Sequence, residues 1–108
     1  KLKSHTPTAD EKRWMNDIVQ LGCIVCWREF DLFTEAEVHH IAGKTKPGSH
    51  LLTIPLCTKH HRGGENNPAW VSRHPWKNEF IGRYGGELDL LAATKAAIKK
   101  GRQGKHYV

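Results

Sequence analysis

Cys23-Ile24-Val25-Cys26 and Cys57-Thr58-Lys59-His60 are the two stretches that most restrict how this chain can fold. Each presents two metal-capable side chains across a two-residue gap, and 30 residues lie between the pairs. Tetrahedral zinc takes four thiolate or imidazole ligands, commonly delivered as two such pairs on tight turns. A hairpin in the intervening segment would bring the pairs together, so Cys23, Cys26, Cys57 and His60 are read as a structural zinc site. The bland alternative is three buried thiols beside a surface histidine, because free cysteine is among the most buried residue types. Two matched gaps that use all 3 cysteines of the chain favour zinc. A metal staple also meets a need, since 108 residues make one domain with a modest core.

The rest of the chain reads as helices around that hairpin. Thr8-Ala9-Asp10-Glu11 has the pattern of a capping box, and Trp14, Ile18 and Leu21 follow at helical spacing until Gly22, which predicts a first helix over 9–21. The Cys23–Cys26 pair is placed on a turn. Residues 33–41 look extended, 43–49 form a polar loop with Pro47 and Gly48, and 51–56 return as a strand, with Pro55 marking an edge or strand end. After Cys57–His61 comes a loop, "RGGENNP". Pro75 suits a first helical position, and Trp76, Phe80 and Tyr84 recur every four residues, predicting a helix over 75–84 with these aromatic rings, like Trp14, in the core. A last helix, 87–100, carries Leu88, Leu91, Ala92 and Ile98 on one side, acids early and lysines late. The whole is one domain, 1–108, with flexible ends at 1–8 and 102–108. No internal repeat or low-complexity tract interrupts it.

Charge narrows the partners. With 17 Lys+Arg against 11 Asp+Glu the formal charge is +6, which favours polyanions, nucleic acid first. No apolar run is long enough to span a bilayer or serve as a signal sequence, and no basic amphipathic helix with an aromatic face offers membrane attachment, so no membrane partner is expected. An odd cysteine number points to a reducing, cytoplasmic setting. A redox protein built on Cys23 and Cys26 is disfavoured because no βαβ pattern surrounds them. The chain starts at Lys1 without a methionine, which suggests a longer natural protein.

Five of the 8 histidines fall between Glu37 and His61. With His60 assigned to zinc, His39, His40 and His61 want their own explanation. Hydrolysis of a phosphodiester needs a water, a base to deprotonate it and a cation to offset charge on phosphate, and imidazole can act as base or as a neutral metal ligand. Adjacent strand residues face opposite ways, so His39 and His40 can serve one phosphate only if the strand twists or bulges at its end. The alternative is a set of surface strand histidines. Lys44, Lys46, Lys59 and Arg62 flank these residues and suit phosphate contacts, although a solvated loop would look the same. Lys95, Lys99, Lys100, Arg102 and Lys105 are either phosphate contacts or a helix end matched to its dipole. His5 and His106 receive no role.

At these residues the sequence resembles a known family. "VHHI", then "LC..HH", preceded by Cys-x-x-Cys, is similar to the HNH nucleases, whose ββα-metal motif is a hairpin followed by a helix around one divalent ion. More closely, "HHIAG", "SHLLTIPLCTKHHRGG" and "HPWKNEFIGRYG" resemble the phage-encoded recombination enhancement nucleases, which cut DNA only with RecA. The resemblance covers about residues 20–90. It implies that His39 is a metal ligand, His40 the general base and His61 a further ligand. The motif's usual Asn falls at Leu52, so His50, two residues earlier on the same strand face, is the candidate catalytic residue there, with a solvent-exposed loop residue as the alternative. The usual last ligand falls near Glu65, while the closer family points to His74. His74 is preferred, because imidazole suits a borderline metal and a residue before proline is stiff.

The resulting expectation is a small α+β domain of ββα-metal (HNH) type with flanking helices, one structural Zn2+ and one catalytic divalent cation, Mg2+ or Mn2+, a site that Zn2+ could also occupy. It would act as a DNA endonuclease on single-stranded DNA or a displacement loop with a RecA filament, in a host bacterial cytoplasm if phage-encoded. The rival is a non-catalytic zinc module that binds DNA or protein, in which the second histidine group is another closed structural site.

Overall fold

The computed structural model describes residues 6–101. The ends at 1–5 and 102–108, including His5, Arg102, Lys105 and His106, lie outside the described residues.

Helix α1 spans Ala9–Leu21. Its start is fixed reciprocally: the Glu11 N–H donates to Thr8 Oγ1 at 3.1 Å, and the Thr8 N–H donates to the Glu11 carboxylate at 2.8 Å. It stops at Gly22, whose φ of +90° and ψ of 177° lie in a region essentially open only to glycine. A Cβ there would also sit 2.5 Å from the Phe33 ring. Immediately afterwards, where the sequence pointed to a turn, the chain forms helix α2, Ile24–Phe30, with Cys23 at its N-cap and Asp31 closing it at φ 50°. Seven residues are too few to display helical periodicity, so α2 left no pattern to read.

The expected extended stretch 33–41 is ordered as a strand only at its end. Strand β1 is Glu37–His40, and β2 is Thr53–Leu56, paired antiparallel with Glu37 opposite Leu56 and His40 opposite Thr53. Leu51 belongs to a 3₁₀ turn, Ser49–Leu51, rather than to the strand, and Leu52 caps it. Pro55 is tolerated because β2 has a partner on one side only. Residues 58–62 form the short helix α3, Thr58–Arg62, directly after the hairpin, with Arg62, expected to open the loop, inside it.

Helix α4, Lys77–Tyr84, begins later than expected: His74-Pro75 is a cis peptide and Trp76, not Pro75, precedes the first turn. Phe80 and Tyr84 are buried as their spacing implied, whereas Trp76 is 37% exposed, its indole N–H donating to the Gly64 carbonyl. Helix α5 is Glu87–Lys99. Its buried face is Glu87, Leu90, Leu91 and Thr94, rotated from the predicted one, and Leu88 is exposed. The core joins Ile54 and Leu56 of β2 to Ile24, Val25, Val71, Phe80 and Leu90. Helices α1, α2 and α5 pack against β2, so the hairpin is held rigidly where its histidines emerge. No helix among the described residues is long and apolar enough to cross a membrane.

Candidate functional site

Two groups of metal-capable side chains converge at the hairpin and α3. In the first, Cys23 and Cys26 come from the start of α2, Cys57 from the N-cap of α3 and His60 from within it, and all four are buried. The His60 Nδ1 lies 3.2, 3.6 and 3.8 Å from the sulfurs of Cys57, Cys26 and Cys23, and Cys26 Sγ is 3.9 Å from Cys57 Sγ. A tetrahedral zinc with bonds of about 2.3 Å to sulfur and about 2.0 Å to nitrogen would place sulfurs about 3.8 Å apart and nitrogen about 3.5 Å from sulfur. Apart from the shorter Cys57–His60 contact these separations are close to those of a zinc shell, and the set, all within 4.8 Å of one another, could bind a zinc ion. Hydrogen bonding to Cys26 and Cys57, with burial, pushes the Cys23 thiol far up, while bonds from Cys23 and Cys26 hold Cys57 far down. Burial disfavours a charged His60, yet its bonds to Cys26 and Cys57 outweigh that and raise it to about 9. The four groups thus share protons among themselves, and a zinc ion would displace those protons, since its ligands are thiolates and neutral imidazole.

The next residue on α3, His61, turns away from this pocket, because successive helical side chains diverge by about 100°. It meets His39 and His74 instead. The ring centroids are 5.1 Å apart for His39–His61 and 5.3 Å for both His39–His74 and His61–His74, and one nitrogen from each lies within 4.8 Å of the others. His74 is returned to α3 by the connection before α4, its N–H donating to the His61 carbonyl at 2.9 Å while the Arg73 N–H donates to that of His60 at 2.8 Å. Glu65 does not join the group. His39 is buried, His61 half-buried and His74 exposed, so the cluster grades from core to solvent.

Carboxylates stand behind two of the three rings. His61 Nδ1 donates to Glu37 at 2.7 Å, and Arg62 clamps the same carboxylate. His39 Nε2 donates to Glu87 Oε2 at 2.5 Å, and Arg73 Nε donates to that oxygen at 2.6 Å. The Arg62 and His61 donors hold Glu37 down to about 2. Burial would raise Glu87, but the His39 and Arg73 donors prevail and hold it to about 2. Burial lowers both His61 and His74, keeping them neutral near pH 7, as metal ligation requires. A ring nitrogen that donates to a carboxylate has no free lone pair, which leaves Nδ1 of His39 and Nε2 of His61 for an ion.

His40 takes the other side of the ribbon. The β1–β2 register is unbroken through His40 and continues in the Ile41 N–H bond to the Leu52 carbonyl, so no bulge turns His39 and His40 the same way. His40 instead meets His50, with Nε2 2.9 Å from His50 Nδ1 and ring centroids 5.0 Å apart. Burial foremost, then Lys44 and the rings of His50, His39 and His61, hold His40 down to about 4, so it is neutral and carries a lone pair at neutral pH. His50 is buried rather than solvent-exposed, and Thr53 Oγ1, which accepts from the Trp14 indole N–H at 2.9 Å, donates to its carbonyl at 3.0 Å. Lys44, Lys46 and Lys59 are exposed; Lys44 acts on His40, whereas Lys59 lies over the Trp70 ring. Arg62, with its side chain 62% exposed, pairs with Glu37.

Glu37, Arg73 and Glu87 were not singled out by sequence reasoning. Glu37 was within reach of it, being two residues before His39 on a strand. Nothing local links Glu87 to the histidines, and its place in the first turn of α5 reads equally well as a dipole partner. Residues 7–99 match the family model described as "Recombination enhancement, RecA-dependent nuclease".

Proposed function

The chain belongs to the family of RecA-dependent nucleases of recombination enhancement, and from that premise we propose that it is a metal-dependent DNA endonuclease of HNH (ββα-metal) type, acting on DNA engaged by a RecA filament. The observation that carries this reading is the pairing of an imidazole triangle, His39–His61–His74, with the His40–His50 pair at the end of the same strand. The hairpin and α3 supply the ββα element order.

In this reading Cys23, Cys26, Cys57 and His60 hold a structural zinc that ties α2 to the hairpin. His39, His61 and His74 hold the second cation. When bound there, a divalent ion would offset the negative charge that gathers on the phosphate and the leaving oxygen. His40 accepts the proton of the attacking water through a ring nitrogen, and His50 keeps that ring oriented. Because His39 and His40 face opposite sides of the ribbon, the scissile phosphate would have to span the strand end, between the exposed His74 and the half-buried His40. The open side at His74 favours catalysis over a closed structural centre, since three protein ligands leave a position for water or substrate.

The test is nicking of plasmid and single-stranded DNA with added Mg2+ or Mn2+, with and without RecA. Cleavage that appears with RecA filaments and falls by about 10²–10⁴-fold in His40→Ala, with folding and zinc content unchanged, is the expected outcome. A His40→Ala protein that cuts at the normal rate defeats the assignment. No cleavage under any of these conditions, with two tightly held ions per chain, would instead favour a non-catalytic DNA- or protein-binding module.

A further inference from the structure

The metal-capable residues of the second centre are complete at His74, yet its most buried member is anchored by a side chain that arrives 13 residues later, on a different helix. His39 is 2% exposed and Glu87 7%, and they meet across 48 residues of sequence at 2.5 Å. The same Glu87 oxygen accepts from Arg73, the neighbour of His74, at 2.6 Å. Glu87 is therefore joined both to a ring of the triangle and to the connection that carries another. A buried carboxylate with two buried or half-buried donors and almost no water is not explained by the helix dipole or by solubility, since an exposed first-turn acid would serve both. Replacing such a pair by apolar groups commonly costs little or nothing, so stability alone gives weak reason to keep it.

We propose that Glu87 is a positioning residue of the second metal centre. Resting on the reading of His39, His61 and His74 as ligands, it sets the His39 tautomer, turns Nδ1 toward the ion and raises that nitrogen's basicity, while Arg73 holds the carboxylate in place. A carboxylate behind a metal-bound imidazole acts in this way, and loss of one commonly weakens metal binding about 10–100-fold. Helix α5, outside the hairpin and α3, thereby becomes part of the centre.

The experiment uses the full chain with zinc in the cysteine site and titrates Co2+ into the second site, reading affinity by calorimetry and geometry by the visible absorption of the bound cobalt. Wild type is compared with Glu87→Gln, Glu87→Ala and the double variant Glu87→Ala/Arg73→Met. The double variant removes both buried charges, so the fold is not left with one of them unpaired. The expected result is a 10–100-fold loss of cobalt affinity in Glu87→Ala and in the double variant, a smaller loss in Glu87→Gln, which can still accept from Nε2, and an altered cobalt spectrum in each. Unchanged affinity and spectrum in the folded double variant would overturn the proposal and make the contact a structural ion pair. If wild type itself takes up no cobalt beyond the zinc site, the underlying reading of the triangle fails, and this proposal with it.

Discussion

His39 and His40 differ by one position and have opposite fates. The strand turns the first into the core, onto a carboxylate, and the second toward His50 and solvent. The outcome matters because a base needs a lone pair at working pH, and burial with four cationic or potentially cationic neighbours denies His40 its proton. Its value, depressed to about 4 against an ordinary 6.5, makes a prediction of definite sign. In the zinc-loaded protein, the His40 ring followed by NMR should titrate near pH 4, and a midpoint near 6.5 would contradict this environment. Because protonation is disfavoured in the fold, the stability linked to His40 is present above pH 6.5 and lost as pH falls through about 4. His61 and His74, also lowered, act in the same direction, so acid should work against any cation held there, because its imidazole ligands must be unprotonated.

At the scale of elements, short pieces do the positioning. Helix α3 has five residues, yet its pitch sends His60 into one cluster and His61 into the other. Neither α2 nor α3 is long enough to stand alone in water, so their ligands and their packing on β2 must hold them. The turn between α1 and α2 is equally constrained. Gly22→Ala would put an L-residue at φ +90° and its Cβ against the Phe33 ring, and is expected to cost at least about 1–3 kcal/mol in chemical denaturation. Thr8→Ala, which removes only the reciprocal cap of α1, should cost about 1 kcal/mol. If the two proved equal, Gly22 would not be the constrained corner between α1 and the zinc pair.

For the molecule as a whole, the Cys/His pocket ties α2 to the hairpin and α3. One zinc per chain should survive dialysis, and a chelator strong enough to remove it should lower the thermal midpoint by well over about 10 °C, given that about 1 kcal/mol moves a domain of this size by about 4–8 °C and structural zinc contributes several times that. Calorimetry with and without chelator checks it, and an unshifted midpoint would show the pocket to be merely packed thiols. Much of this design could be read from the chain alone. The capping box and Gly22 bound α1, and the two matched gaps marked Cys23, Cys26, Cys57 and His60, because caps and ligand pairs depend on residues within one turn of one another. The histidine doublets could be recognised, but not their partners. The family resemblance already preferred His74 to Glu65, and His39, His61 and His74 do meet; only the tertiary structure gave His50 to His40, turned Leu90 rather than Leu88 inward and carried Glu87 across 48 residues to His39. The reason is physical: local preference acts over a few bonds, whereas the rotation of a helix and the partner of a buried charge are decided by which surfaces the whole chain packs together.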